Sequence, residues 1–143
     1  MQNCWTILAD RASASARDAH VTVVSIKAKV TQLQANAAHI KRLHDDYVAR
    51  FAISQKEAHM IGDNLAMRKF LDHLQGLAHR VAAQLSAANK ELADAKKYWA
   101  DTERERVKME SMVEREARNT AAAKVKREQR QSDETGIMLF NLR

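Results

Sequence analysis

The stretch from Ala19 to Phe51, AHVTVVSIKAKVTQLQANAAHIKRLHDDYVARF, decides the fold of this chain. Its apolar residues alternate in steps of four and three, which is the heptad pattern of a coiled-coil seam. The pattern predicts a long helix that buries one apolar stripe against another helix. The seam positions are Ala19, Val23, Ile26, Val30, Leu33, Ala37, Ile40, Leu43 or His44, Tyr47 and Phe51.

A second periodic run follows between Phe70 and Trp99. It contains two successive steps of four, from Leu77 to Val81 to Leu85, and such a stutter locally unwinds the supercoil. Its full set is Phe70, Leu74, Leu77, Val81, Leu85, Ala88, Leu92, Ala95 and Trp99. A weaker continuation passes through Val107, Met109, Met112 and Val113.

The segment Met60–Asn64 separates the two runs. Gly62 is suited to ending one helix, and the Asp or Asn that follows is suited to capping the next. We therefore predict a single all-α domain over residues 1–143, in which two long helices form an antiparallel coiled coil. The expected elements are a helix at about 5–61, a turn at about 62–63, a helix at about 64–131 and a flexible tail at 132–143. An extended chain that dimerises would show the same seams. Gly76 is interpreted as a tolerated helix glycine or a point of close packing.

Composition agrees with long helices. The 143 residues include no proline and only three glycines, the two residue types that most disfavour a helix interior. Charged residues make up 29% and aromatics 5%, which is typical of coiled coils. No apolar run is long enough to span a membrane, and no secretory signal is recognisable at the N-terminus. The single cysteine, Cys4, forms no internal disulfide, so we expect a cytoplasmic protein.

No pattern in the sequence indicates catalysis or a cofactor. The chain has no glycine-rich phosphate loop and no nucleophile motif. The six histidines, which are His20, His39, His44, His59, His73 and His79, show no zinc-binding or di-iron spacing. We therefore expect no catalytic residues, no metal and no cofactor.

The net charge of +6 raises the question of an acidic partner. Between Glu103 and Arg130 the two signs are interspersed, as on a solvated helix with i, i+4 pairs. A nucleic-acid surface would have a cleaner basic stripe with aromatics for stacking. The pattern favours a protein partner over nucleic acid.

Three stretches resemble the FliJ family, the stalk proteins of the flagellar type III export apparatus and their injectisome counterparts. The first is HIKRLHDDY at 39–47, which carries a tyrosine, and the second is RKFLDHLQ at 68–75, which carries a phenylalanine. The third is Trp99 followed by MESMVER at 109–115 and KREQRQSDE at 126–134.

The resemblance implies a two-helix antiparallel coiled coil similar to the rotor stalk of rotary ATPases. Such a protein inserts its paired ends into a hexameric export ATPase, and its other face touches the cytoplasmic domain of the membrane export gate. It also escorts export chaperones, and it lies peripherally at the inner membrane without inserting into it. Carried over by position, the export-gate face consists of Asn36, Ile40, Leu43, Tyr47, Phe70, Leu74, Leu77 and Val81.

A turn near Gly62 would place the first dozen residues beside roughly 112–125, forming the end that enters the ATPase ring. The residues expected there are Trp5, Arg11, Arg17, Arg118, Lys124, Arg127, Arg130, Asp133 and Glu134. Tyr47 and Phe70 lie on opposite sides of the turn and should lie near one another. Two alternatives stay open: a generic coiled-coil chaperone or scaffold, and a basic coil that binds nucleic acid.

Overall fold

The computed structural model describes residues 3–56 and 61–142. They form two helices, α1 at Cys4–Lys56 with 53 residues and α2 at Ile61–Asn141 with 81 residues. The two helices pack against each other, and no strand occurs in the described ranges. The predicted all-α helical hairpin is confirmed.

The expected element boundaries need two corrections. Gly62 and Asp63 lie inside α2, which begins at Ile61, and the connection falls on 57–60, outside the described residues. The expected end of the second helix near 131 is wrong, because α2 continues to Asn141. Gly136 does not have a positive φ. It therefore costs helix stability, by about 1 kcal/mol relative to alanine, without ending the helix.

The chain divides into two compact units. We call Ala19–Tyr98 the hairpin unit, and Met1–Asp18 together with Trp99–Arg143 the terminal unit. Each unit contains a part of both helices, so each has its own interface between α1 and α2.

The core of the hairpin unit follows the predicted seams. Ile26 and Val30 of α1 are buried with Ala88 of α2, whose small side chain leaves room for the two branched ones. Partly buried apolar residues surround this cluster, namely Leu33, Leu85, Leu92 and Ala95. Burying one such aliphatic side chain contributes about 1.5–3 kcal/mol, which makes this interface the main stabilising feature of the unit.

Two contacts show that the helices of the hairpin unit are antiparallel. Lys29 Nζ lies 3.6 Å from Glu91 Oε2, and the ring of Tyr47 contacts the ring of Phe70. The partner number on α2 falls as the number on α1 rises. The Lys29–Glu91 pair is largely exposed, so it contributes less than about 1 kcal/mol.

Gly76, also in the hairpin unit, is not a point of close packing. A Cβ atom built on it would meet nothing within 4 Å. The tolerated-glycine interpretation is therefore the correct one of the two.

The terminal unit has a thinner core. Ala12 and Ala16 of α1 are buried there. Larger apolar residues occur on α2, where Met109 and Val113 are half-buried. Both belong to the weak seam that the sequence predicted. Val107 was expected in the same seam, and this is wrong because its side chain is 52% exposed.

Arg106 takes the half-buried position next to Val107. Its Nη2 donates to Glu103 Oε2 at 2.9 Å, and its Nη1 donates to Glu110 Oε1 at 2.8 Å. The hydrogen bond to Glu103, followed by that to Glu110, raises the pKa of Arg106 above its ordinary value. Heptad steps from Trp99 reach Arg106 and Val113, and Val107 falls one position off this stripe.

The last part of α2 is uncovered. Every residue from 117 to 142 is exposed. Neither helix has a stretch, among the described residues, that is long and apolar enough to cross a bilayer.

Candidate functional site

An aromatic pair marks the predicted export-gate face in the hairpin unit. The ring centroids of Tyr47 on α1 and Phe70 on α2 lie 4.6 Å apart, with the ring planes tilted by 57°. Their predicted proximity is confirmed. Tyr47 is half-buried and Phe70 is 38% exposed, so both rings are packed on one side and accessible on the other. Accessible, rigid aromatics of this kind are common anchors in protein interfaces.

Two arginines accompany this aromatic pair. The guanidinium carbon of Arg50 lies 5.3 Å from the centre of the Tyr47 ring, and that of Arg68 lies 5.9 Å from the centre of the Phe51 ring. Both distances fit cation–π contacts. Neither arginine was predicted from the sequence. The spacing of three between Tyr47 and Arg50 on one helix was an available signal, whereas the Arg68–Phe51 contact joins two helices and needs the structure.

An open groove of about 300 Å³ lies between α1 and α2 of the same unit. Its walls combine small and apolar side chains with three polar ones. The lining residues are Ala37, Ile40, Lys41 and His44 from α1, and Leu74, Gln75 and Ala78 from α2. The groove could accept an apolar side chain of a partner, with polar groups available at its walls.

All eight predicted export-gate residues belong to the hairpin unit. Leu74 is only 4% exposed, so it mainly supports the face and offers a partner little surface beyond its part in the groove wall. Asn36 is exposed, and its Oδ1 accepts a hydrogen bond from Gln32 Nε2 at 3.1 Å. Phe70 is exposed, as described above. The other five residues of the set are half-buried, namely Ile40, Leu43, Tyr47, Leu77 and Val81.

All nine predicted ring-binding residues belong to the terminal unit. Trp5 is half-buried. The charged ones are all exposed, and these are Arg11, Arg17, Arg118, Lys124, Arg127, Arg130, Asp133 and Glu134. Those of α2 lie on the uncovered part of the helix, where a partner could reach them from any side.

A second groove, of about 310 Å³, lies in the terminal unit. Its lining is acidic instead of basic, because it includes the carboxylates of Asp10, Glu110 and Glu114. The remaining lining residues are Thr6, Ala9, Ser13 and Val113. The beginning of α1 thus lies beside residues 110–114 of α2. Roughly 112–125 was expected there, so the observed segment overlaps the start of the expected one.

Among residues 3–56 and 61–142, no group of His, Cys, Asp or Glu side chains could hold a metal ion. The chain is of the class of two-helix antiparallel coiled coils.

Comparison with known families identifies the family within this class. The family model described as "Flagellar FliJ protein" matches residues 6–143. The chain therefore belongs to the FliJ family, a family of structural and adaptor proteins of flagellar type III protein export. Neither the curated proteins nor the solved structures include a match to this chain.

Proposed function

We propose that this protein is the central stalk and adaptor of a type III protein export ATPase complex. In this proposal the terminal unit binds inside the hexameric ATPase ring, and the hairpin unit binds the cytoplasmic domain of the export gate. The protein also escorts export chaperones and works in the cytoplasm, peripherally at the inner membrane. The observation that carries the proposal is the accessible Tyr47–Phe70 pair in a chain of the FliJ family.

The arginines beside this pair support a protein partner for the hairpin unit. Aromatic and arginine side chains are enriched among the residues that dominate binding energy. A guanidinium group held against a ring keeps its N–H groups available for a carboxylate. Together with Leu43, Leu77 and Val81, the pair gives a face with an apolar centre and a charged border, which is the usual anatomy of a protein interface.

The charge distribution supports the adaptor over a nucleic-acid-binding coil. Arg104 is paired with Asp101, and Arg106 with Glu103 and Glu110. Such pairing leaves fewer cations for phosphates, whereas nucleic-acid binding depends on releasing counterions from several phosphates. Binding of random DNA that weakens steeply with salt would favour the nucleic-acid alternative.

The export-gate face is tested by replacing Tyr47 with alanine. We expect at least tenfold weaker binding to the cytoplasmic domain of the export gate, measured by calorimetry, because the anchor ring is lost. Tyr98→Ala is the control, since Tyr98 is the other tyrosine of the hairpin unit, is 62% exposed and lies outside the face. Circular dichroism should show unchanged helicity in both variants.

Two results would contradict this assignment. Equal binding by the Tyr47 and Tyr98 variants would remove the centre of the face. Unfolding caused by Tyr47→Ala would show that the ring belongs to the core, and the export-gate face would lose its centre.

The ring-binding end is tested by deleting residues 119–143. We expect stimulation of the export ATPase to be lost, while the hairpin unit stays helical because its seam lies outside the deleted segment. Tyr47→Ala serves as the control, since it should leave stimulation unchanged. Undiminished stimulation by the deletion variant would move the ATPase contact elsewhere and favour the scaffold alternative.

A further inference from the structure

The first part of α1 packs against α2 through small side chains. We call Cys4–Asp18, the part of α1 that belongs to the terminal unit, the strap. The buried residues of the strap are Ala12, which is 9% exposed, and Ala16, which is 2% exposed. The hairpin unit instead buries branched side chains such as those of Ile26 and Val30. Because hydrophobic stabilisation grows with the apolar area buried, the strap is held more weakly than the rest of α1.

A charged residue lies in the seam that the strap covers. Arg106 occupies the heptad position between Trp99 and Val113, and its side chain is only 31% exposed. Its guanidinium group donates to Glu103 and to Glu110, which are both on α2. These hydrogen bonds therefore persist when the strap moves away. Closing a helix over the three charges removes water from them, which opposes closure.

Like charges also meet between the strap and α2. The groove of the terminal unit is lined by Asp10 of the strap and by Glu110 and Glu114 of α2. Arg106 offsets part of the charge of Glu110. Carboxylates on facing helices repel each other, and dissolved salt screens this repulsion. The charges in the groove therefore oppose closure most strongly at low salt.

We propose that the strap is a reversible cover, which opens from α2 while the two helices of the hairpin unit stay paired. Opening a weakly held segment costs less free energy than unfolding the whole chain. The residues that it uncovers include Met109, Met112 and Val113, which are half-buried when the strap is closed. Methionine side chains adapt to surfaces of different shape. The open form thus presents a transient apolar surface, and this inference does not depend on the partners in the proposed function.

Two matched cysteine variants measure the opening. Ala16→Cys places a thiol under the strap, and Ala88→Cys places one in the core of the hairpin unit, where Ala88 is 1% exposed. Both are made in a Cys4→Ser background, because Cys4 is the single cysteine of the chain and is exposed. The measurement is the rate at which a maleimide modifies each native protein without denaturant.

The thiol of Ala16→Cys should react at least about tenfold faster than that of Ala88→Cys, because only the strap opens without global unfolding. The rate at this position should fall as salt is raised, since screening the carboxylates favours closure. The rate of the Ala88→Cys variant should not follow this trend.

Two further changes test the cause of opening. Arg106→Leu combined with Glu110→Gln makes the seam more apolar and leaves the net charge unchanged, so it should slow the modification of Ala16→Cys about tenfold. Asp10→Asn should slow it about threefold and weaken its dependence on salt. Asp94→Asn is the control for the charge change, because Asp94 is an exposed aspartate of the hairpin unit, and it should have no effect.

Equal rates for Ala16→Cys and Ala88→Cys would overturn the proposal, because the strap and the hairpin unit would then open together. Hydrogen exchange of the protein without cysteine changes provides a second measurement, in case a thiol itself loosens the strap. Amides of the strap should exchange faster than those of residues 20–34, and the Arg106 and Asp10 changes should slow them. Fast exchange that neither change affects would be ordinary fraying of a helix end, and the reversible cover would be wrong.

Discussion

Replacement of Ile26 by alanine tests the seam on which the hairpin unit depends. Ile26 is 8% exposed and lies in one cluster with Val30 and Ala88. Its loss removes three buried carbon groups at about 0.8 kcal/mol each, which amounts to about 2.4 kcal/mol. The cavity left between two stiff helices adds to this cost, and the higher helix propensity of alanine recovers less than about 0.7 kcal/mol. The expected loss of unfolding free energy is about 2–4 kcal/mol.

Val24→Ala is the matched control for this change. Val24 lies two positions away on the same helix, but its side chain is 52% exposed. Its replacement should change the unfolding free energy by no more than about 0.5 kcal/mol.

Urea unfolding followed by circular dichroism measures both variants. The Ile26 variant should unfold at lower urea with an unchanged slope. The midpoints should not depend on protein concentration, because the two helices belong to one chain. Equal effects of the two changes would refute the burial pattern, and a midpoint that rises with concentration would show that the helices pair between chains.

Three further stability predictions follow from the same contacts. Gly76→Ala should stabilise the protein by about 0.5–1 kcal/mol in urea unfolding, because the added methyl group meets no atom within 4 Å and alanine favours the helix; destabilisation would indicate hidden close packing. A double-mutant cycle on Lys29 and Glu91 should give a coupling below about 1 kcal/mol that shrinks with salt, and a larger, salt-independent coupling would contradict their exposure. Val107→Ser should lower the unfolding free energy by less than about 0.5 kcal/mol and Val113→Ser by about 1–2 kcal/mol in thermal or urea unfolding, because only Val113 is half-buried. The reverse order would show that Val107 belongs to the seam.

Much of the candidate site was accessible from the sequence. Because side chains three and four apart share one face of a helix, the seam spacing predicted that Ile26, Val30 and Ala88 are buried. The contact of Tyr47 with Phe70 was predicted, but a turn at 62–63 lies much closer to Phe70 than to Tyr47 and does not account for it. The two residues meet because they are equally far from the facing helix ends, Lys56 of α1 and Ile61 of α2.

Other features depended on the exact register of the two helices. The contact of Arg68 with the Phe51 ring joins two helices whose relative position is set by packing. Leu74 was assigned to the face, yet the opposite helix buries it.

The sequence by itself determined the helical nature of the chain and its two seams, whereas the structure decided between a hairpin and an extended chain that dimerises. The helices and the seams follow from local rules, namely the absence of proline, the heptad spacing and the cost of leaving an apolar stripe in water. Only the tertiary structure decided that Arg106 takes the half-buried position beside exposed Val107, and that α2 stays uncovered from residue 117 to 142. The physical reason is that a side chain is buried only where the partner helix lies alongside it. The periodicity of one helix does not show where along its length the partner helix lies.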